Sequence, residues 1–209
     1  MNTEKFKNTY RIESARLRGW DYGSNAAYFV TICTADQNHY FGEIRDGIMH
    51  LSEIGEIAQA YWQEIPQHFH FVGFGSYVIM PNHVHGIVII DKPDCAFGIN
   101  TDYGDGNGCR DVACNVSTIS GQSPRTTTND QMSSISPKPG SLSTIIRSYK
   151  SAVTKRAHLV NPSFTWQPRY HDHIIRNPES DYSIAQYIQN NVKNWAMDRF
   201  YNSDKMSIV

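Results

Sequence analysis

No run in this chain approaches the ~20 consecutive apolar residues that a membrane-spanning helix needs. The first eighteen residues are charged and have no apolar centre, so they do not read as a secretory leader. Cysteine is scarce, at four. Cys33 falls in a strand-like run, while Cys95, Cys109 and Cys114 lie in a polar segment without CxxC pairs, which excludes an ordinary zinc module and disfavours a disulfide framework. Charge of one sign is also lacking, since 19 Lys and Arg face 20 Asp and Glu. These absences lead us to expect a cytoplasmic protein with no membrane partner, and they leave nucleic acid undecided.

What is present is an ordinary globular composition, 40% apolar and 12% aromatic over 209 residues, enough for one large domain or one domain with a long insertion. The cations are unevenly placed. Between residues 138 and 176, Lys138, Arg147, Lys150, Lys155, Arg156, Arg169 and Arg176 face Asp172 alone. Such a stripe can track a phosphate backbone or be a solvated helix face, and charge alone does not choose.

Residues 1–25 read as a basic arm and turn, and 27–33 as an inner strand because their apolar character is nearly continuous. Asp46-Gly47 between two short runs signals a hairpin. Ser52 caps a helix with Ile54, Ile57, Ala58, Tyr61 and Trp62 on one face, predicted to end at Pro66. Residues 92–140 are dense in Gly, Ser, Thr, Asn and Asp without periodicity, the mark of a flexible insertion carrying no catalytic role. Helical spacing resumes at Ser141, with Ile145, Ile146, Tyr149, Val153 and Ala157 on one face. An aromatic link at 164–170, a short strand at 171–175 and a helix opened by Asn177-Pro178-Glu179, predicted to run to about Tyr201, complete the domain of 26–201. Residues 202–209 form a short tail.

The chemistry-bearing stretch is Met80-Pro81-Asn82-His83-Val84-His85-Gly86, read as strand, tight turn, strand. Alternation puts His83 and His85 on one face and Val84 on the other, where two imidazoles can share one cation. A pair of satisfied polar histidines would have the same spacing. In the last helix, Ile184, Tyr187, Ile188, Val192 and Trp195 form an apolar stripe that Asn191 interrupts. Asparagine is a poor helix former and a poor core residue, and it stands one turn beyond Tyr187. An internal hydrogen bond would account for it equally well.

Taken together, Pro81-Asn82-His83-Val84-His85-Gly86, the segment Trp166-Gln167-Pro168-Arg169-Tyr170-His171-Asp172-His173 with Ile175-Arg176-Asn177, and Tyr187-Ile188-Gln189-Asn190-Asn191 resemble the single-tyrosine HUH transposases, in particular the REP-associated tyrosine transposase branch. The N-terminal Arg-Leu-Arg-Gly-Trp-Asp-Tyr segment adds to the likeness, which covers most of 10–91 and 141–198. Val192 departs from it, because proline often follows the asparagine in that family.

The resemblance implies an α+β, ferredoxin-like sandwich, a central antiparallel sheet with helices packed on one side and the histidines on a central strand. It implies that His83, His85 and Asn191 bind Mg²⁺ or Mn²⁺ and that Tyr187 is the nucleophile of a single-stranded DNA transposase or endonuclease. Such an enzyme cleaves and rejoins hairpin or repeat DNA through a 5′-phosphotyrosine. Two imidazoles and an amide oxygen favour the softer Mn²⁺, whereas abundance favours Mg²⁺. Arg147, Lys150, Lys155 and Arg156 are candidates for phosphate contact, His171 and His173 are secondary site candidates, and Tyr170, Tyr182 and Tyr201 are rival nucleophiles. Monomer and homodimer both fit. The competing reading is a catalytically silent hairpin-binding protein on the same fold. A small-molecule metalloenzyme of the cupin type would want a β-barrel, against which the helical stripes count.

Overall fold

The structure, a computed structural model, describes residues 16–17, 19–93 and 137–201. Most of the N-terminal arm, the bulk of the 92–140 insertion with Cys95, Cys109 and Cys114, and the 202–209 tail lie outside the described residues.

Strand β1 (Ala26–Cys33) leads through a 3₁₀ turn into the hairpin β2 (Gly42–Arg45) and β3 (Ile48–Leu51). Helix α1 (Glu53–His68), strands β4 (Val72–Met80) and β5 (His83–Ile90), helix α2 (Leu142–Ala157), strand β6 (His171–Ile175) and helix α3 (Pro178–Asn190) follow. The main sheet has the order β4-β5-β1-β6 with every pairing antiparallel, and the hairpin forms a separate two-stranded sheet. This is the ferredoxin-like arrangement expected, with the histidine strand β5 inside the sheet. The hairpin turn has Asp46 and Gly47 both at positive φ, as a two-residue primed turn requires.

Alternation sorts β1 and β5 into two faces. Tyr28, Val30 and Ile32, with Val84 and Val88, are buried against α1 and α2. Trp62 of α1 lies over Gly86, where a side chain would fall 2.2 Å from the indole ring, and it packs edge-on against Tyr149 of α2. The Tyr149 hydroxyl donates to the Ala58 carbonyl at 3.0 Å, tying the two helices inside the core. These two helices fill one side of the sheet as expected. The third, α3, lies over the other side, the one carrying His83 and His85.

Two helix ends differ from the sequence reading. Helix α1 continues two residues past Pro66, because a proline in the last turn removes a single bond while Ile65 and Phe69 stay buried and Phe69 N–H still bonds Ile65 C=O. Helix α3 stops at Asn190 instead of about Tyr201. Asn191 N–H bonds the Ile188 carbonyl and Asn194 N–H the Asn190 and Asn191 carbonyls, so the chain tightens into turns and a 3₁₀ turn at Trp195–Met197. Three asparagines in five residues favour such an exit. Trp195 and Phe200 then fold back to form a small second core with Cys33 and Met80.

The described ends of the 92–140 segment are anchored at one place. Lys92 exchanges two 2.9 Å bonds between its backbone and the Asn25 side chain and donates its amine to Gly23 C=O, while Lys138 pairs with Asp21. An excursion whose ends already meet adds little closure entropy to the folded domain.

Candidate active site

Residues 81–88 are all buried, so β5 carries its two histidines into the interior, His83 at 0% and His85 at 1% exposure. Their rings lie 4.3 Å apart, centroid to centroid. The preceding Asn82 sets the state of the first. Its amide nitrogen donates to the carbonyls of Phe200 (2.8 Å) and Gln37 (3.3 Å), which leaves its oxygen to accept from His83 Nδ1 at 2.8 Å. The proton therefore sits on Nδ1, and His83 Nε2 presents a bare lone pair that no protein atom satisfies. His85 is oriented similarly, with Nδ1 2.8 Å from Thr31 Oγ1 on the neighbouring β1.

Burial, with the charges of Arg199 and His39, brings His83 down to about 3. Burial, then His83, brings His85 down to about 2, against the opposing pull of Asp198. Both imidazoles are neutral at physiological pH, the form that ligates a metal.

Helix α3 brings Tyr187 over this pair. Its hydroxyl is 3.3 Å from His85 Nε2 and 3.5 Å from Asp198 Oδ2, and its ring stands edge-on to Phe29. Burial, followed by the Asp198 charge, raises the phenol above its ordinary value. Asn191, at the helix terminus and 3% exposed, donates Nδ2 to Asp198 Oδ2 at 3.2 Å, and its Oδ1 is buried without a partner. The ligand atoms of His83, His85 and Asp198 lie within 4.8 Å of one another. Two orphaned buried acceptors beside a carboxylate and a second imidazole fit a divalent cation on chemical grounds. Phe200 and Trp195 close the site from the other side, their rings 4.7 and 6.0 Å from that of His83.

The other sequence candidates are placed elsewhere. His171 and His173 pair across β1 with Thr31 and Phe29, so they share the face of the histidine pair but sit at the exposed edge strand, two strands from β5. Arg147, Lys155 and Arg156 are exposed on α2, behind the sheet. Lys150 also lies there, but its amine donates to the carbonyls of Gln167 (2.8 Å) and Arg169 (3.1 Å). Tyr182 repeats the tyrosine-amide spacing one turn earlier with Gln186, yet among the described residues it makes no contact with the histidines, and it is 68% exposed. Sequence reasoning missed Asp198. On an unbroken helix a residue eleven positions past Tyr187 would lie about 16 Å further along the axis. Only the turn after Asn190 returns it to the phenol.

No family model matches the chain. Its fold is similar to that of the REP-associated tyrosine transposase solved bound to a REP hairpin, with a TM-score of 0.52 at 14% identity over 90% of this chain and 77% of that one. The two proteins thus share a fold, a four-stranded antiparallel sheet with helices. The chain itself belongs to the same family as an uncharacterized protein of Haemophilus influenzae, which is 32% identical over 205 residues, 96% of this chain and 99% of the relative.

Proposed function

We propose that the chain is a divalent-cation-dependent single-stranded DNA transposase or endonuclease that acts at hairpin or repeat sequences, with Tyr187 as nucleophile. The observation that carries this reading is the Tyr187 hydroxyl, 3.3 Å from His85 Nε2 at the mouth of a buried site where His83 Nε2 has no protein partner. The hairpin-bound state of the structural neighbour supports the choice of DNA.

His83 Nε2, His85 Nε2, Asn191 Oδ1 and the Asp198 carboxylate would hold the cation. A Mg²⁺ or Mn²⁺ ion bound there supplies Lewis acidity toward a phosphoryl oxygen. Asn82 and Thr31 keep the Nε2 lone pairs of the two histidines aimed inward. His85 Nε2 has one lone pair and cannot serve both a cation and the phenol, so the Tyr187 hydroxyl must swing aside on loading; at 45% exposure on the last turns of α3 it has room to do so. Tyr187 Oη then forms a bond to phosphorus as the bond to the 3′-oxygen breaks. The phenol gives up its proton, the leaving oxygen gains one, and the products are a 3′-hydroxyl and a 5′-phosphotyrosine. Because the linkage conserves a phosphodiester, a 3′-hydroxyl rejoins the strand by the reverse exchange without ATP.

The test is incubation of the protein with an end-labelled DNA hairpin carrying single-stranded flanks, in Mn²⁺ and in Mg²⁺, followed by denaturing electrophoresis. We expect a covalent protein–DNA species that EDTA abolishes and that Tyr187→Phe does not form. Folded protein that binds the hairpin but gives no adduct in either cation would leave the silent DNA-binding reading in its place. An adduct formed equally by Tyr187→Phe would move the nucleophile elsewhere.

A further inference from the structure

Asp198 and Phe200 fix the position of the residue between them, Arg199. Asp198 is held inward, its Oδ2 accepting from Asn191 Nδ2 at 3.2 Å and facing the Tyr187 hydroxyl at 3.5 Å, its Oδ1 accepting from Phe200 N–H at 2.8 Å. Phe200 is held inward too. Its carbonyl accepts from Asn82 Nδ2 at 2.8 Å, and its ring lies 4.7 Å from that of His83 and 6.2 Å from that of His85. The backbone of Arg199 is therefore pinned beside the candidate ligands, while the residue itself is exposed.

The Arg199 guanidinium carbon stands 4.5 Å from the centroid of the Phe200 ring. A guanidinium over an aromatic face keeps its N–H donors available, and among the described residues Arg199 makes no hydrogen bond or ion pair. The neighbouring Asp198 does not neutralise it, because that carboxylate is turned to Asn191, Tyr187 and the Phe200 N–H. The charge is felt inward. Burial lowers His83 and, together with His83 itself, lowers His85, and the Arg199 charge adds to both effects. Burial raises the Tyr187 phenol, and there the Arg199 charge pulls the other way. One uncommitted cation thus lies within electrostatic reach of both histidines and of the phenol.

A phosphodiester seated at Tyr187 has a use for such a charge. Among His83, His85, Asn191 and Asp198 only Asp198 is negative, since both imidazoles are neutral, so a divalent cation held by them leaves a single net positive charge. A phosphodiester attacked by a phenolate carries two negative charges, its own and the one the phenolate oxygen brings. One of them is left uncompensated in a partly buried site, where water screens poorly. A guanidinium stays charged at any physiological pH and presents paired N–H donors in the geometry of phosphate oxygens, which fits that deficit.

We propose that Arg199 binds a non-bridging oxygen of the phosphodiester linkage that Tyr187 faces, as a substrate-contacting residue of the site. The proposal rests on the reading of the chain as a single-stranded DNA transposase or endonuclease and adds the side chain that grips the reacting linkage. The exposed stem of Arg199 can swing from Phe200 to the linkage without moving the backbone, because no hydrogen bond among the described residues holds its N–H groups.

The experiment is a metal-free fluorescence-anisotropy titration of a labelled DNA hairpin carrying a single-stranded flank, in a series where one flank linkage at a time is a neutral methylphosphonate. Neutralising the linkage that Arg199 holds should weaken wild-type binding about fivefold, the upper end for a single exposed charge pair. Arg199→Ala should weaken binding of the unmodified probe by about the same factor and erase the methylphosphonate effect at that linkage alone. Arg199→Gln, which keeps the stem over Phe200 without the charge, should behave as the alanine variant does. Arg156→Ala, on the other side of the sheet, should leave the effect in place. The proposal is overturned if no linkage depends on Arg199, if Arg199→Gln behaves as the wild type, if Arg156→Ala erases the same effect, or if the wild-type protein binds no probe. Where a covalent adduct forms in Mn²⁺, the linkage joined to Tyr187 should be the Arg199-dependent one, and a different linkage would also overturn it. An Arg199-dependent linkage without any adduct removes the catalytic reading alone, and an adduct without such a linkage removes the Arg199 contact alone.

Discussion

Replacing Asn82 by alanine should cut cation affinity and stability together, although Asn82 is not itself one of the candidate ligands. The substitution deletes a 2.8 Å bond to His83 Nδ1, a 2.8 Å bond to the Phe200 carbonyl and a longer one to Gln37. It strands one donor beside a fully buried ring and one buried acceptor. At about 1–3 kcal/mol for each orphaned group the loss is about 2–6 kcal/mol, a large share of the ~5–15 kcal/mol typical of a domain. With Nδ1–H unheld, His83 can turn or change tautomer, and losing such an outer partner lowers metal affinity about 10–100-fold. Asn82→Asp separates the two effects. Its carboxylate still accepts from Nδ1, so Mn²⁺ should bind about as tightly as in the wild type, but it donates nothing to the two carbonyls, and stability should still fall. The measurements are urea unfolding and Mn²⁺ titration by electron paramagnetic resonance. Folded Asn82→Ala with wild-type Mn²⁺ affinity, or Asn82→Asp binding as weakly as the alanine variant, would refute the reasoning.

The metal-free protein should lose stability as pH falls below about 6.5. The unfolded histidines take up protons there, while folded His83 and His85 resist until about 3 and about 2, so each contributes a loss of about 1.4 kcal/mol per pH unit inside that window; urea midpoints that do not move between pH 6.5 and 5 would contradict this. Gly86→Ala should destabilise the domain by about 1–3 kcal/mol, because its methyl would sit 2.2 Å from the Trp62 ring in a packed core, and thermal unfolding would show it. Asp198→Asn should bring the Tyr187 phenol back down toward its ordinary value by removing the charge that helps raise it. It should also weaken Mn²⁺ binding, both readable by tyrosine-selective NMR titration and by calorimetry.

The inner strand β1, the Asp46-Gly47 hairpin, the Ser52 and Asn177 caps and the shared face of His83 and His85 were legible because each rests on a local rule: period-two alternation, a turn dipeptide or a cap. The end of α3 was not. An apolar stripe continued through Val192 and Trp195, and periodicity outweighed the three asparagines that convert the chain to tight turns. The basic stripe likewise gave residues without roles. Lys150 and Arg147 look alike in sequence, yet one amine is spent on backbone carbonyls and the other side chain faces an open groove.

The sequence by itself determined which residues share a face: His83 with His85 through the strand repeat, and Tyr187 with Asn191 through one helical turn. Such relations are set by backbone geometry within a few residues. The tertiary structure alone decided that the two faces meet, that Asp198 returns to the phenol, that Asn82 fixes the proton on His83, and that the α2 cations lie behind the sheet. Each of these depends on distances between segments far apart in the chain, and those distances are set by packing and chain reversal, which no local pattern encodes.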